Sequence, residues 1–224
     1  MTEYTVLIIE DHPFVLEAYT SVLQSIGSLN DVLGFKIDIA RNCENALVKI
    51  KKASKKKNID LIFLDIRLPP SKNGIILSGE DLGIKINELL PNSKIIISTS
   101  IDDNFRVHNL LKNINPDGFL IKNDVTTKII KEAILTVIKN PPYYSETVLN
   151  LVRKQISNDI LLDRVDRILL YELSLGTKMK DLPKVLPLSI AGIEKRKRRL
   201  KKIFNVEISD DKELLIKAKK KGFI

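Results

Sequence analysis

Cysteine is almost missing from this 224-residue chain. Cys43 stands alone, so no intramolecular disulfide can close and no cysteine-based zinc site can assemble. Histidine is nearly as scarce, and His12 and His108 leave little for a histidine metal cluster. Glycine and proline number only 9 each, and 44% of the residues are hydrophobic, which excludes collagen-like repeats and a disordered chain. No stretch approaches the roughly 18 apolar residues that a membrane helix needs. The N-terminal run YTVLII at 4–9 is too short for a signal peptide and ends in Glu10-Asp11. These absences lead us to expect a soluble protein of a reducing, cytoplasmic compartment.

At roughly 100–200 residues per domain, the length suits one large or two modest domains. The formal charge of +9 is unevenly spread. Residues 1–140 hold 18 basic and 17 acidic side chains, whereas residues 141–224 hold 19 and 11. A near-neutral first part therefore precedes a strongly basic second part. Such asymmetry points to nucleic acid or another acidic surface, or to a solubilising face.

Along the first part, short apolar runs alternate with segments of helical period. Residues 4–9, 35–39, 60–65, 94–98 and 118–121 read as strands. Residues 12–26, 43–52, 82–90, 103–113 and 126–138 read as helices. The alternation implies a five-stranded parallel, doubly wound sheet with helices on both faces. Its strands are apolar nearly throughout, as burial on two sides requires, and 35–39 alternates. The Lys-rich stretch 51–57 reads as a solvated helix end and loop. Asn140-Pro-Pro-Tyr-Tyr144 breaks the pattern, and we place the boundary there: residues 1–140 as the first domain, 141–160 as a linker with a helix from Ser145 to about Lys154 or Ile156, and 161–224 as an all-helical second domain.

Ligands of such sheets bind at the carboxyl ends of the strands. Glu10-Asp11 follow the first strand, Asp65 the third, Ser98-Thr99 the fourth and Lys122 the fifth. Each residue alone has a dull explanation as a cap, a surface ion pair or a loop residue. Together they form a cluster of three carboxylates, whose mutual repulsion calls for a divalent cation, and an oxygen-only set with open positions suits Mg2+. Thr99 adds a hydroxyl and Lys122 a compact cation. These are the parts for phosphoryl transfer to a carboxylate, with Asp65 as nucleophile.

Residues 1–140 resemble a response-regulator receiver domain. The matching segments are Ile8-Ile9-Glu10-Asp11-His12-Pro13, Leu64-Asp65-Ile66-Arg67-Leu68-Pro69, Ile97-Ser98-Thr99-Ser100 and Gly118-Phe119-Leu120-Ile121-Lys122. The resemblance implies a flavodoxin-like fold with Asp65 as phosphoacceptor. It implies Glu10 and Asp11 as the acidic metal-binding pair, with the backbone carbonyl of Arg67 completing the Mg2+ shell. It further implies Thr99 and Phe119 as switch residues and Lys122 as the phosphoryl-contacting lysine. On phosphorylation Thr99 turns toward the phosphoryl group, Phe119 moves inward, and the surface of the fourth helix, fifth strand and fifth helix changes. The segments from Asp11 to Asp65 and from Asp65 to Thr99 are longer than usual.

The second part reads as four helices: Asp163–Leu175, Lys178–Leu186, Ile190–Phe204 and Asp210–Lys221. Gly176 is a stop, and Thr177 and Ser189 are candidate N-caps. Seven of the eight residues from Lys195 to Lys202 are basic, set against an apolar stripe of Ile193, Leu200 and Phe204. A cationic helix of this kind suits the major groove of DNA; a solvated helix or a membrane-surface helix is the competing reading. Leu169 to Ile224 resembles the LuxR-type helix-turn-helix of NarL/FixJ-type regulators. The shared frame is Leu173-Ser-Leu-Gly176, Asp181-Leu182, Leu188-Ser189, Ile193, Leu200, Phe204-Asn-Val206 and Leu214 to Gly222. The resemblance implies that Glu194, Lys195 and Arg198 face bases, and that Thr177, Lys178, Arg196, Arg199, Lys201 and Lys202 meet phosphates. Lys197 occupies a usually apolar position, and Pro183 falls inside the second helix and is expected to shorten or kink it.

The expected function is a phosphorylation-controlled transcription factor, served by a histidine kinase and binding double-stranded DNA as a homodimer, with no enzymatic activity beyond its own phosphorylation and dephosphorylation. Two alternatives were weighed. A metal-dependent phosphohydrolase would want an acid two residues after Asp65, where Arg67 stands. A receiver acting only through protein contacts is opposed by the basic third helix, while a receiver-type regulator acting independently of phosphorylation stays open.

Overall fold

The computed structural model describes residues 2–29, 32–55, 59–72, 74–101, 103–153, 162–207 and 210–224. The chain divides into two compact units, residues 1–155 and 156–224.

The first unit alternates strand and helix from its start. In order come β1 (Thr2–Ile9), α1 (Pro13–Leu29), β2 (Leu33–Ala40), α2 (Cys43–Ser54), β3 (Leu61–Leu64) and α3 (Gly79–Leu89). Then follow β4 (Lys94–Thr99), α4 (Asn104–Ile114), β5 (Gly118–Ile121), α5 (Thr127–Lys139), β6 (Tyr143–Tyr144) and α6 (Glu146–Arg153). Every strand pairing is parallel, in the order β2-β1-β3-β4-β5-β6. The chain builds outward from β1 in both directions, so the switch point lies between β1 and β3.

Side chains alternate across a strand, and both faces are dry here. Leu7 and Ile9, Ile62 and Leu64, Ile95 and Ile97, and Phe119 and Ile121 pack with Ile50 of α2, Ile86 of α3 and Leu110 of α4. Their neighbours Val6, Ile8, Leu61, Phe63, Ile96 and Leu120 pack with Leu23 and Ile26 of α1 and Ile130 and Ile134 of α5. Each such fully buried side chain stabilises the fold by about 1.5–3 kcal/mol. The helices start on side-chain caps: the carboxylate of Asp103 accepts from Arg106 N at 3.1 Å, and the hydroxyl of Thr126 accepts from Ile129 N at 3.3 Å.

The strand edge departs from the five-stranded expectation, and so does the boundary at residue 140. Tyr143 and Tyr144 pair with Gly118 and Phe119 as a sixth strand. Tyr143 N donates to Asp117 O and Ser145 N to Phe119 O, both at 2.9 Å. α6 follows and buries Val148 completely in the core of this unit. Residues 141–153 are thus part of the first unit rather than a linker, because they close the β5 edge and add an apolar side chain to its core. The expected continuation of this helix to Lys154 or Ile156, and the Ser157-Asn158-Asp159 break, lie outside the described residues. Of the Lys-rich stretch, Lys51 and Lys52 end α2 and are exposed, while Lys56 and Lys57 lie outside the described residues.

The second unit contains α7 (Arg164–Ser174), α8 (Ile190–Ile203) and α9 (Asp211–Lys220). Asp163 and Asp166 cap α7 reciprocally: Asp163 Oδ1 accepts from Asp166 N at 2.8 Å and Asp166 Oδ2 from Asp163 N at 3.2 Å. Leu169, Leu182, Leu186, Ile193, Leu200, Leu214 and Ala218 form the apolar interior, and Phe204 meets Phe223 edge to face at 5.7 Å. The second of the four expected helices is absent as an α-helix: within 178–186 only a single 3-10 turn, Leu182–Lys184, forms. Pro183 supplies no N–H and its ring crowds the preceding turn, so an α-helix cannot run through it. Thr177 does not cap this segment; its hydroxyl donates to Glu172 Oε2 at 2.8 Å. Ser189 does cap α8, accepting from Gly192 N at 3.3 Å.

Candidate phosphoacceptor site and basic helix face

The carboxyl edge of the sheet gathers the acids that the sequence places after its strands. Carboxylate oxygens of Glu10, Asp11 and Asp65 lie within 4.8 Å of one another, and no other such group of His, Cys, Asp or Glu occurs among the described residues. Glu10 and Asp65 are buried and Asp11 is exposed, so the cluster opens to solvent on one side. Lys122, from the end of β5, reaches across β4 to both buried acids. Its Nζ lies 2.8 Å from Asp65 Oδ2 and 2.8 Å from Glu10 Oε2. Backbone donors fix the carboxylates: His12 N donates to Glu10 Oε1, and Arg67 N to Asp65 Oδ1, each at 3.0 Å.

The charges are mutually dependent. Burial and the Asp65 carboxylate push the Glu10 carboxyl above its ordinary value, against the pull of Lys122. Burial disfavours the Lys122 ammonium, but Asp65 and Glu10 outweigh it and raise its pKa. Two buried carboxylates and one exposed one, answered by one ammonium, leave excess negative charge and open oxygens, the donor set a hard divalent cation requires.

Thr99 is fully buried, and its Oγ1 accepts from Ile101 N at 3.3 Å. Phe119 is also fully buried and lies in the core cluster that includes Val148 of α6. Arg67 is exposed two residues past Asp65, where no acid stands for a hydrolase to use.

Several contributors escaped sequence reasoning. Tyr19 of α1 stacks on Phe63 with centroids 4.6 Å apart and hydrogen-bonds Ser98 beneath the site. Gly79 N donates to Ile66 O at 3.1 Å, and the Gly79 Cα faces the Asp65 carbonyl so closely that a Cβ would stand 1.8 Å from it. Glu80 and Arg106, at 0% and 1% side-chain exposure, form an ion pair between α3 and α4. Of these only Gly79 left a signal, the Ser78-Gly79-Glu80 capping sequence. Cys43 is buried, and burial with Asp81 and Glu44 pushes its thiol up to about 12, so it stays protonated.

In the second unit, α8 turns Ile193, Leu200 and Lys201 inward and exposes Glu194, Lys195, Arg198, Arg199 and Lys202. Lys178 is exposed as well. Three of the residues assigned to phosphates are committed inside the unit instead. Lys201 is 2% exposed and pairs with Asp211 at the start of α9. Arg196 binds Asp163 at 2.6 Å and Asp166 at 2.8 Å, tying α8 to the α7 cap. Thr177 is held by Glu172. Lys197, at the usually apolar position, lays its stem against the unit and places Nζ 2.8 Å from Asp211 Oδ2. Arg199 keeps 49% of its side chain exposed while lying 3.5 Å from Asp166.

These pairs make the second unit acid-sensitive. Burial alone would raise the carboxyls of Asp211 and Asp163, but Lys197 with Lys201, and Asp166 N with Arg196, hold both below their ordinary value of 3.8. A depressed folded pKa contributes stability that is complete above the unfolded value and lost as pH falls through the folded one. Asp211→Asn and Asp163→Asn are therefore expected to destabilise α7–α9 at neutral pH and to match the wild type once the pH is well below 3.8. Amide exchange of α7–α9 in the full chain reads this, and a pH-independent difference would rule it out.

A doubly wound parallel sheet with buried acids and a lysine at its carboxyl edge is a phosphoacceptor architecture. Residues 6–134 match the family described as response regulator receiver domain, and the chain belongs to that family. The chain carries that receiver ahead of an all-helical unit. It is similar to the oxygen regulatory protein NreC of Staphylococcus haemolyticus, at 25% identity over 177 residues, covering 74% of this chain and 77% of that one. With NreC of Staphylococcus carnosus the identity is 25% over 154 residues, covering 68% of this chain and 64% of that one. Among solved structures, RcsB of Salmonella enterica serovar Typhimurium bound to the rprA promoter with BeF3- matches at TM-score 0.67 and 21% identity, covering 96% of this chain and 98% of that one. A structure of two RcsB dimers bound to two parallel DNAs matches at TM-score 0.57 and 21% identity, covering 97% and 98%. At these identities the likeness to solved structures is one of fold. Among the described residues, no helix is long and apolar enough to cross a membrane.

Proposed function

We propose that this chain is a phosphorylation-switched transcription factor whose receiver spans residues 1 to about 153 and whose helix-turn-helix follows. The observation that carries the reading is Lys122 Nζ bridging Asp65 and Glu10 at the edge where Asp11 also stands. Asp65 is the phosphoacceptor: a carboxylate oxygen bonds to phosphorus, the bond to the imidazole nitrogen of a phosphorylated histidine kinase breaks, and the electron pair stays on that nitrogen. Glu10, Asp11, Asp65 and the Arg67 carbonyl would hold Mg2+, which supplies charge neutralisation at the phosphoryl oxygens. Lys122 steadies the added negative charge, and Thr99, at the end of β4 on the same sheet edge, offers its hydroxyl to it. The chain catalyses no reaction beyond its own phosphorylation and dephosphorylation.

The exposed face of α8 enters the major groove of double-stranded DNA, with Glu194, Lys195 and Arg198 toward bases and Lys178, Arg199 and Lys202 toward phosphates. A homodimer on paired half-sites is the expected assembly, in the cytoplasm.

Intact mass after incubation with a small acyl phosphate and Mg2+ tests the first half. One phosphoryl adduct is expected in the wild type and none in Asp65→Asn. DNA titrations of the same samples test the second half. Affinity should rise with the adduct and fall with salt at a slope of about 0.9 per phosphate contact. Lys195→Ala and Arg198→Ala should each cost roughly 5–150-fold, in line with about 1–3 kcal/mol per base contact. DNA binding equal in wild type and Asp65→Asn, with the adduct present, would overturn the switch.

A further inference from the structure

We propose that α6 is the element through which the receiver reports its state: phosphorylation of Asp65 loosens α6 from α4 and β5, and the released segment is the output. The inference rests on the phosphoacceptor reading of Asp65.

The contacts are specific. α6 packs on α4 and β5, and β6 occupies the edge of β5 where another chain could otherwise pair. Val148 of α6 is fully buried in the same apolar cluster as Phe119, Val107 and Leu110, with Tyr144 and Leu151 packed against it. The polar seat of α6 is Asp124, two residues beyond Lys122. Its Oδ2 accepts from Ser145 Oγ at 2.6 Å and from Thr147 N at 3.2 Å, and its Oδ1 from Thr147 Oγ1 at 2.8 Å. Ser145 in turn accepts from Ile121 N at 3.3 Å and donates its own N–H to Phe119 O at 2.9 Å. The residues from Phe119 to Asp124 thus hold both the site lysine and the start of α6.

This arrangement leaves Phe119 no empty surface pocket to swing from, since it already lies in the core that α6 completes. A rearrangement of Thr99 and Phe119 must therefore change the packing under Val148 or be suppressed by it. The described part of α6 is eight residues, and a helix of that order is marginal in water without its docking surface. Undocking and unwinding are then one event. The helix presents Leu149 and Val152, each 41% exposed, on its outer side, so one face holds the receiver and the other is already at the surface.

The test uses the full chain. Amide exchange across residues 146–153 is measured with and without the acyl phosphate and Mg2+, in wild type and Asp65→Asn, with intact mass recorded in parallel. A tenfold or larger loss of protection in α6 is expected only where the adduct is present. A weakened α6 seat lowers the cost of the rearrangement that accompanies phosphorylation, so Val148→Ala and the milder Thr147→Val should speed adduct formation several-fold, while Leu149→Ala should not. An adduct with unchanged α6 exchange overturns the readout and leaves the phosphoacceptor reading standing. No adduct in the wild type overturns the phosphoacceptor reading and the readout with it. An adduct rate unaltered by Thr147→Val and Val148→Ala, both folded by circular dichroism, overturns the coupling.

Discussion

Gly79→Ala is expected to lower the unfolding midpoint of the first unit by roughly 6–12 °C and to slow phosphorylation of Asp65. The side chain added is a single methyl, yet it has nowhere to go. Built on this backbone, the Cβ stands 1.8 Å from the Asp65 carbonyl oxygen and 2.8 Å from Ile66 Cα. Neither obstacle is a side chain that can rotate away. Relief requires α3 to retreat from the β3 loop, which also stretches the Gly79 N to Ile66 O bond of 3.1 Å. Overpacking of this kind costs about 3 kcal/mol, the upper part of its usual range, and about 2–4 °C accompanies each kcal/mol at this size. The same strain falls on the residue whose carboxylate sits 2.8 Å from Lys122. Calorimetry on the full chain and intact-mass kinetics check the two halves separately. A variant with the wild-type midpoint would mean that α3 slides freely. A lowered midpoint with unchanged adduct kinetics would mean that the Asp65 side chain is insulated from its own backbone.

Gly79 also shows where sequence reasoning stops. The central strands were legible because burial on two faces leaves few polar positions: residues 118–121 come out as β5 unchanged, and the expected 94–98 differs from β4 by one residue. The site acids and Lys122 were legible for a related reason, since strand ends in a parallel sheet converge on one edge whatever the register. Close backbone approach has no such signature, because a glycine beside a carbonyl and a glycine in a loop read alike. β6 was missed because two residues show no period, and α6 was assigned to a linker because the Pro141-Pro142 break preceding it hides that the chain returns to β5. The basic helix misled in a different way. Seven cations in eight residues suggested an almost wholly cationic face opposite the apolar stripe. Lys197 and Lys201 are four apart and share the side that meets Asp211, while Arg196 meets the α7 cap. Periodicity located the buried stripe by its apolar members and could not tell which cations share that side. Pro183 was recognised as a breaker, but its consequence was larger than a kink: the segment is a single 3-10 turn.

Arg106→Met is expected to destabilise the first unit by about 3–5 kcal/mol, although methionine fills much of the same volume. The reason is what remains behind. Glu80 has no side-chain exposure, and its carboxylate is answered by Arg106 and by Asn113 Nδ2 at 2.7 Å. Removing the guanidinium takes the cation away from a buried carboxylate, the situation in which breaking a buried pair costs most. The decisive sample is the double variant Glu80→Gln/Arg106→Met. Glutamine keeps a carbonyl oxygen for Asn113 and carries no charge, so the double variant should recover most of the loss despite altering two core residues. Such recovery would show that the pair is retained at little net gain in stability and that its value lies in fixing how α4 sits on α3, the helix whose first residue abuts Asp65. Equal losses in the single and double variants would instead mean that the guanidinium stem's packing, rather than its charge, holds α4. Denaturant titrations of the three variants and the wild type close this thermodynamic cycle, and a coupling below about 0.5 kcal/mol, the usual additivity limit for separate sites, would exclude the electrostatic account.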